Sequence, residues 1–462
     1  MTIQMPHSSP LSSVPSTPQP STTDPEQAAS VALMESGRNV FLTGRAGTGK
    51  SFTVTQFVRN TSKRVAITAT TGIAAVNLQE NIERLVQTIY GWAGIFLGPA
   101  EGQEFEDYYR YLCREMGSPL GKASMRAAMT DTLIIDEVSM LPGRTLEYLD
   151  FHLRKLRDKP DSPFGGIQII AVGDFLQLPP VAKNRRYDWA FKSKAWGIAG
   201  FKVAMLTTIH RQASDAAFTA ALNSFREGRV TREVADLLAS RVGNHTPASV
   251  TRLMTHNTQV DRWNNSQMAA IEQDEQTFEA TFSGNDSQID AMKKRSLTPI
   301  TLKLKPTCRV MVTANVSDGK GGRIAANGDR GIMVKSGTHT TKVWNSDDEE
   351  YHEKTAPAIF VLMDSGDEIA IPQFVWQFDP QDKRSAKMKQ FPLRPAWAMT
   401  IHKSQGLSLD SAHIDIRAAI EPGQAYVALS RLRTLKGLHL KEWIKCLHVS
   451  DEAINFYKNL SE

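Results

Sequence analysis

Between residue 39 and about residue 210, short β-branched runs alternate with longer stretches in which apolar side chains recur every three or four positions. The runs are Asn39–Leu42, Arg64–Ala69, Thr132–Asp136, Ile167–Val172 and Lys202–Leu206. Runs of this length predict strands, and the periodicity between them predicts helices. Their alternation predicts a parallel sheet covered by helices. The stretch 97–125 interrupts the rhythm with Gly98-Pro99, an acidic-aromatic patch at Glu104–Tyr111 and Gly117-Ser118-Pro119. It reads as a small insertion beside the first domain.

A second α/β unit begins near residue 226, with strands expected at Arg252–Thr255, Arg309–Thr313, Ala396–Ile401, Ala412–Ile416 and Gly437–Leu440. From Asp318 to Gln390 the pattern changes to Gly-rich turns and alternating strands such as Ala358–Met363 and Glu368–Pro372. That change predicts a small β-barrel inserted into the second unit. Residues 1–23, rich in Ser, Thr and Pro and without Asp, Glu, Lys or Arg, read as a disordered tail. The fold is expected to start at Asp24-Pro25-Glu26, with Asp24 capping a helix and Pro25 at its first position. The expected division is a first domain over 24–225 and a second over 226–462.

Composition narrows the class but not the chemistry. The 462 residues, 41% hydrophobic and 22% charged, suit a globular protein of more than one domain. No apolar run approaches the length of a membrane span. The tail has neither the apolar core of a secretory signal nor the arginines of a transit peptide, so a cytoplasmic protein without a membrane partner is expected. Cys113, Cys308 and Cys446 lie far apart, which argues against a zinc site or a disulfide framework. The 54 basic and 49 acidic residues leave a net charge of +5, which allows a nucleic-acid partner without demanding one.

The chemistry begins at Gly44-Arg45-Ala46-Gly47-Thr48-Gly49-Lys50-Ser51, between the first predicted strand and a helix-like run from Phe52. This is G-x-x-x-x-G-K-S, the phosphate-binding loop. Its glycines let successive backbone N–H groups curl around an anion, and the following helix adds its positive end. Lys50 would reach the β- and γ-phosphates of a nucleoside triphosphate, and the Ser51 hydroxyl would ligate Mg²⁺. Downstream, Leu133-Ile134-Ile135-Asp136-Glu137 delivers two adjacent carboxylates to a strand end. Asp136 would hold Mg²⁺, and Glu137 would orient and deprotonate the attacking water. In Gly173-Asp174-Phe175-Leu176-Gln177-Leu178-Pro179-Pro180, the Gln177 amide could sense the γ-phosphate. Ligands of such sheets bind at the carboxyl ends of the strands, where all three motifs fall.

Together these stretches resemble a superfamily-one helicase of the B branch, within the petite-integration-frequency (Pif) family. The resemblance extends through Thr68–Ala75, Ile134–Met140, Phe164–Gln168, Gly173–Val181, His210-Arg211-Gln212, Thr255-His256-Asn257, Thr400–Leu407 and Tyr426–Arg431. It covers about Asp24 to Leu440. It implies two RecA-like α/β domains, a small wedge insertion at 97–125 and an inserted SH3-like barrel at 318–390. It also implies that Gln27 reads the adenine edge, and that Ala46, Gly47, Thr48 and Gly49 cradle phosphate. Arg211 and Arg431 would close on the γ-phosphate from the far side of the cleft, with Arg431 an arginine finger supplied in cis. Thr70, Thr71 and Gly72 from the first domain, and Thr255, Asn257, His402, Lys403 and Ser404 from the second, would grip a DNA backbone. Tyr90 and Trp92 could stack on bases or serve as core aromatics.

The implied activity is ATP-dependent unwinding of duplex DNA by a monomer moving 5′–3′ along single-stranded DNA, with forked DNA as a substrate. A RecD-like DNA-stimulated ATPase that translocates without unwinding by itself remains the alternative. A nucleotide-dependent binding module that has lost turnover is disfavoured by the joint presence of Lys50, Glu137, Gln177, Arg211 and Arg431.

Overall fold

A computed structural model describes residues 24–461, apart from 80–81, 83, 96–97, 117, 183–185, 244–245, 248–249, 297, 318–322, 326, 346–349, 379–383, 416–418, 420 and 443–446. The expected tail at 1–23 lies outside the described residues. The chain enters the fold on α1 (Pro25–Glu35). The Asp24 carboxylate accepts from the Glu26 N–H at 2.8 Å, and Pro25 occupies the first helical position. Pro lacks the N–H that this position would leave unpaired, so the start is fixed by covalent geometry as well as by the cap.

Six parallel strands form the first sheet: β1 (Val40–Gly44), β2 (Val65–Ala69), β3 (Val86–Thr88), β4 (Thr132–Asp136), β5 (Gln168–Gly173) and β6 (Lys202–Leu206). Their order is β3-β2-β4-β5-β1-β6. Every residue of β1, β4 and β5 is buried, as continuous apolar runs require when helices cover both faces. The edge strand β3 has only three residues and no apolar run, so periodicity does not announce it. Strand order reverses beside β1, and the loop from β1 to α2 (Lys50–Asn60) opens at that crevice.

The stretch expected as an insertion folds into the helices Phe105–Met116 and Ser118–Ala128. Tyr108, Leu112 and Ala127 join the core that holds Phe41, Leu149 and Phe175, so this pair shares the first domain's interior.

The second parallel sheet has four short strands, ordered Ala398–Thr400, Thr251–Met254, Ala412–Ile414 and Leu438–Leu440. The strand at Arg309–Val312 does not join it, contrary to expectation. It pairs antiparallel with Arg330–Asn345 and Leu393–Pro395 in a five-stranded sheet. An apolar run of four predicts a buried strand, but it does not name the sheet that buries it. The β-rich region runs from Gln276 to Pro395, wider than 318–390, and a separate core of Cys308, Val310, Met333, Ile359, Val361 and Leu393 holds it together. The final helix, Asp451–Ser461, returns to the first domain, where Ala453 is fully buried in the core with Phe41 and Phe175.

Candidate nucleotide cleft and nucleic-acid face

The turn after β1 is built from residues that only glycine allows. Gly47 (φ +83°) and Gly49 (φ +86°) lie in the left-handed region. A Cβ on Gly47 would stand 2.7 Å from the Arg211 Cβ, and one on Gly49 would stand 2.5 Å from the Gln27 Nε2. The loop is thereby pressed between Gln27 on α1 and Arg211. Gln27 is buried, and its Nε2 lies 3.5 Å from the Thr48 carbonyl and 3.4 Å from the His210 Nε2.

The cleft beside the loop encloses about 610 Å³. It is lined from the first domain by Lys50, Ser51, Asp136, Glu137, Gln177 and Arg211, and from the second by Arg431 and Arg433. The Lys50 Nζ donates to the carbonyls of Gly44 (2.7 Å) and Arg45 (3.1 Å). Burial pushes its ammonium down, while Asp174, Glu137 and Asp136 pull it back up. Asp136 and Glu137 are both pushed up, first by burial. The adjacent Glu137 charge adds to the rise at Asp136, and Lys50 and Arg431 oppose it at Glu137. Glu137 itself sits at φ +54°, a left-handed conformation costly for a side chain with a Cβ and concentrated at functional sites.

Asp174 is fully buried and takes a two-pronged ion pair from Arg226, at 2.8 and 3.0 Å. Burial resists its ionisation, yet the guanidinium, together with Lys50 and the Leu176 N–H, more than offsets this and holds the carboxyl below its ordinary value. The same carboxylate accepts from the Leu176 N–H at 3.1 Å and lies 3.4 Å from the Gln177 amide nitrogen. The loop carrying Gln177 is therefore organised around one buried charge.

The two arginines do not arrive from the same side. The main chain of His210 and Arg211 donates to the Gly47 carbonyl, which fixes Arg211 to the first domain. Arg431 alone crosses from the second domain, correcting the expectation that both close from the far side. Its Nε donates to the Val427 carbonyl at 2.9 Å, and Arg211 donates to the Ser430 carbonyl at 3.1 Å. Burial and the neighbouring Arg211 charge both weaken the proton affinity of Arg431. The pair forms a positive wall suited to a polyanion.

Contacts across the cleft include groups to which the motifs assign no role. The Ala46 N–H donates to the Tyr426 hydroxyl at 2.9 Å, so a side chain of the second domain holds the phosphate loop. Gly423 (φ +72°) lies so close that a Cβ there would stand 2.3 Å from the Gln177 carbonyl oxygen and 2.6 Å from that of Leu176.

On the face above the sheets, the expected strand-gripping residues divide. Asn257 is exposed at the start of its helix, and His402 and Lys403 are half-buried with their charged forms disfavoured by burial. The Thr71 hydroxyl caps Ala74 at 3.2 Å beside Gly72, the first residue of that helix. Thr255 is mostly buried, its hydroxyl 2.7 Å from the His256 Nδ1. Three side chains are committed elsewhere. The Ser404 hydroxyl is fully buried on the Ile401 carbonyl (2.8 Å), and that of Thr70 donates to the Glu137 carbonyl (2.9 Å). Trp92 is 4% exposed in the first core, which corrects the stacking role, and half-buried Tyr90 packs on the same core. A small apolar-and-basic pocket between the domains adds Asn77, Met311, Arg394 and Lys403. Asn77 donates across the interface to the Gln405 carbonyl at 2.8 Å.

Comparison with known proteins identifies the family. The sequence profile described as PIF1-like helicase matches residues 25–236. The chain is 36% identical over 438 residues to ATP-dependent DNA helicase Pif1 of Bdellovibrio bacteriovorus, covering 94% of this chain and 91% of that protein. Among solved structures it resembles Pif1 from Bacteroides sp in complex with ADP-AlF4 (TM-score 0.75, 27% identity, 96% of this chain and 97% of that chain). It also resembles the structure concerning DNA unwinding at forked dsDNA by two coordinating Pif1 helicases (TM-score 0.66, 27% identity, 96% and 98%). The two parallel sheets correspond to RecA-like domains, and the chain belongs to the PIF1-like helicase family.

Proposed function

We propose that this chain is an ATP-dependent DNA helicase that moves 5′–3′ along single-stranded DNA and parts duplex DNA at forks. The observation that carries the reading is the cleft itself: Lys50, Glu137 and Gln177 of one domain face Arg431 of the other across a single cavity. The named activity of the Bdellovibrio relative supports both the nucleotide and the DNA.

In this reading Gln27 reads the adenine edge, and the loop Gly44–Ser51 cradles the phosphates with Lys50. The Ser51 hydroxyl and the Asp136 carboxylate are hard oxygen donors on the wall that would face the phosphates. They fit Mg²⁺, which commonly takes one or two carboxylates plus phosphate oxygens and water. Bound there, the ion would neutralise developing phosphate charge. Glu137 orients the attacking water and takes its proton. Gln177 reports the γ-phosphate, and Arg211 and Arg431 stabilise charge as the transfer proceeds.

The Tyr426 and Asn77 contacts join the two domains beside the cleft, so a change at the phosphates would reach the nucleic-acid face. There Thr71, Gly72, Thr255, Asn257, His402 and Lys403 hold backbone phosphate without reading sequence. The helix pair after residue 104 acts as the wedge, and the antiparallel unit as an SH3-like barrel beside the strand path. One chain carries both walls of the cleft, so a monomer suffices for a cycle of hydrolysis.

Strand displacement on duplexes with a 5′ or a 3′ overhang, with ATPase measured with and without single-stranded DNA, tests the proposal. Unwinding restricted to the 5′ overhang supports it. DNA-stimulated hydrolysis without displacement on any fork would instead favour a translocase.

A further inference from the structure

Outside the motifs, one side chain joins both halves of the phosphate-binding wall. We propose that Tyr457, on the C-terminal helix Asp451–Ser461, is a positioning residue for ATP hydrolysis, its hydroxyl tying the end of β1 to the loop that presents Gln177.

The hydroxyl donates to the Asp174 Oδ1 at 3.2 Å, accepts from the Phe175 N–H at 3.2 Å and pairs with the Thr43 hydroxyl at 2.6 Å. Thr43 immediately precedes Gly44, the first residue of the phosphate loop. Asp174 organises the Gln177 loop. One oxygen thus sets the distance between the segment that holds the phosphates and the segment that senses them. The Arg226 guanidinium, already paired to Asp174, lies over the Tyr457 ring at 5.1 Å, which encloses the network on a second side. A network closed in this way in a low-dielectric interior resists displacement.

The helix is well placed to carry such a group. Ala453 is fully buried, and the Phe456 ring stacks on Phe191 at 4.5 Å and meets Phe175 edge-on at 5.3 Å. Glu452 pairs with Lys192 at 2.5 Å. The helix follows the last strand of the second domain but docks on the first, and the intervening Val449 lies where a Cβ on Gly228 would collide at 2.7 Å. The chain end is therefore a strap from the second domain to the wall behind the Gln177 loop.

The inference rests on Gln177 acting at the γ-phosphate, and the test separates the two. In the whole 462-residue chain, DNA-stimulated ATPase is measured for the wild type and for Gln177→Ala, Tyr457→Phe and Lys192→Ala, with a thermal melt of each. Tyr457→Phe keeps the ring and its packing and removes only the hydroxyl. Its kcat is expected to fall about tenfold, with KM for ATP within about twofold of wild type, because misplacement of one group near the chemistry costs turnover more than ground-state binding. Lys192→Ala, which loosens only the exposed ion pair, is expected to leave kcat unchanged. If Gln177→Ala turns over normally, the site reading fails and the inference with it. If Gln177→Ala is impaired while Tyr457→Phe keeps wild-type kcat, or loses activity only in proportion to unfolded protein, the positioning role of Tyr457 is overturned.

Discussion

The Thr70 hydroxyl donates to the main-chain carbonyl of Glu137 at 2.9 Å, and the Thr70 N–H donates to the Asp136 carbonyl at 3.1 Å. The loop after β2 and the carboxylate pair after β4 are thus joined across neighbouring strands at the edge of the cleft. Thr70 leads directly into Thr71 and Gly72 on the nucleic-acid face. With Glu137 as the proposed general base, a shift of that loop would reach its backbone through one hydrogen bond.

Thr70→Val preserves shape and removes this bond. The Glu137 carbonyl keeps the Met140 N–H at 3.0 Å, so the stability cost is that of one hydrogen bond, about 0.5–1.5 kcal/mol. DNA stimulation of ATP turnover should fall several-fold while affinity for a single-stranded oligonucleotide changes little. Titrating ATPase rate against DNA concentration separates the maximum from the half-saturation point. A change confined to the latter would contradict the coupling.

Lys50→Ala should abolish turnover, since no other ammonium lines the loop among the described residues. Hydrolysis near the wild-type rate would remove the phosphate-loop assignment. Glu137→Gln should keep nucleotide binding, read by fluorescence of a labelled ATP, and lose turnover.

The buried carboxylate pair gives a pH signature. Both groups are pushed above their ordinary values, chiefly by burial. A carboxyl with a raised folded-state value holds its proton more tightly folded than unfolded. Stability contributed by the protonated form is therefore lost as pH rises from the ordinary carboxylate range through the raised values. Glu137 must be ionised to act as a base, so turnover should rise over the window in which stability falls. Asp136→Asn should melt at a higher temperature than wild type at pH 8 and show a flatter dependence of melting on pH. Melting curves identical to wild type across that range would count against the pair as a buried, repelling site.

Arg431→Ala should lower kcat on the order of 10³-fold if it acts as the finger. A loss below about tenfold would move that role to Arg211, whose backbone is already fixed to the phosphate loop. Trp92→Ala should cost about 3–5 kcal/mol of stability as a core deletion. DNA affinity measured well below the melting transition should be unchanged.

Most of the first sheet is legible in the chain because its central strands are buried on both faces and therefore uniformly apolar. The three-residue β3 carries no such run, and its existence depends on pairing with β2. The strand at Arg309 reads correctly as a strand but is assigned to the wrong sheet, because side-chain pattern encodes burial and not partnership. At the site, the phosphate loop and the carboxylate pair are local in sequence and can be read there. Asn77, Arg226 and Tyr457 act through contacts between segments far apart in the chain, and no spacing rule reaches them; Tyr426 opens the Tyr426–Arg431 motif, but its contact with the phosphate loop is equally long-range. Ser404 and Trp92 share a reason for departing from expectation. A polar or aromatic side chain inside a nucleic-acid motif can be spent on holding the motif's own backbone, as Ser404 is, or on filling the core beneath it, as Trp92 is.

The contact at Gly423 has a mechanical consequence. Backbone there meets the carbonyls of Leu176 and Gln177 with no room for a side chain, so closure in the proposed cycle would end against main chain. Side chains yield by changing rotamer, whereas packed main chain does not. In that cycle the closed end of the stroke would be the same each time, whatever bases lay in the groove. Even a methyl group at position 423 would hold the two walls apart like a shim, besides straining a backbone at φ +72°.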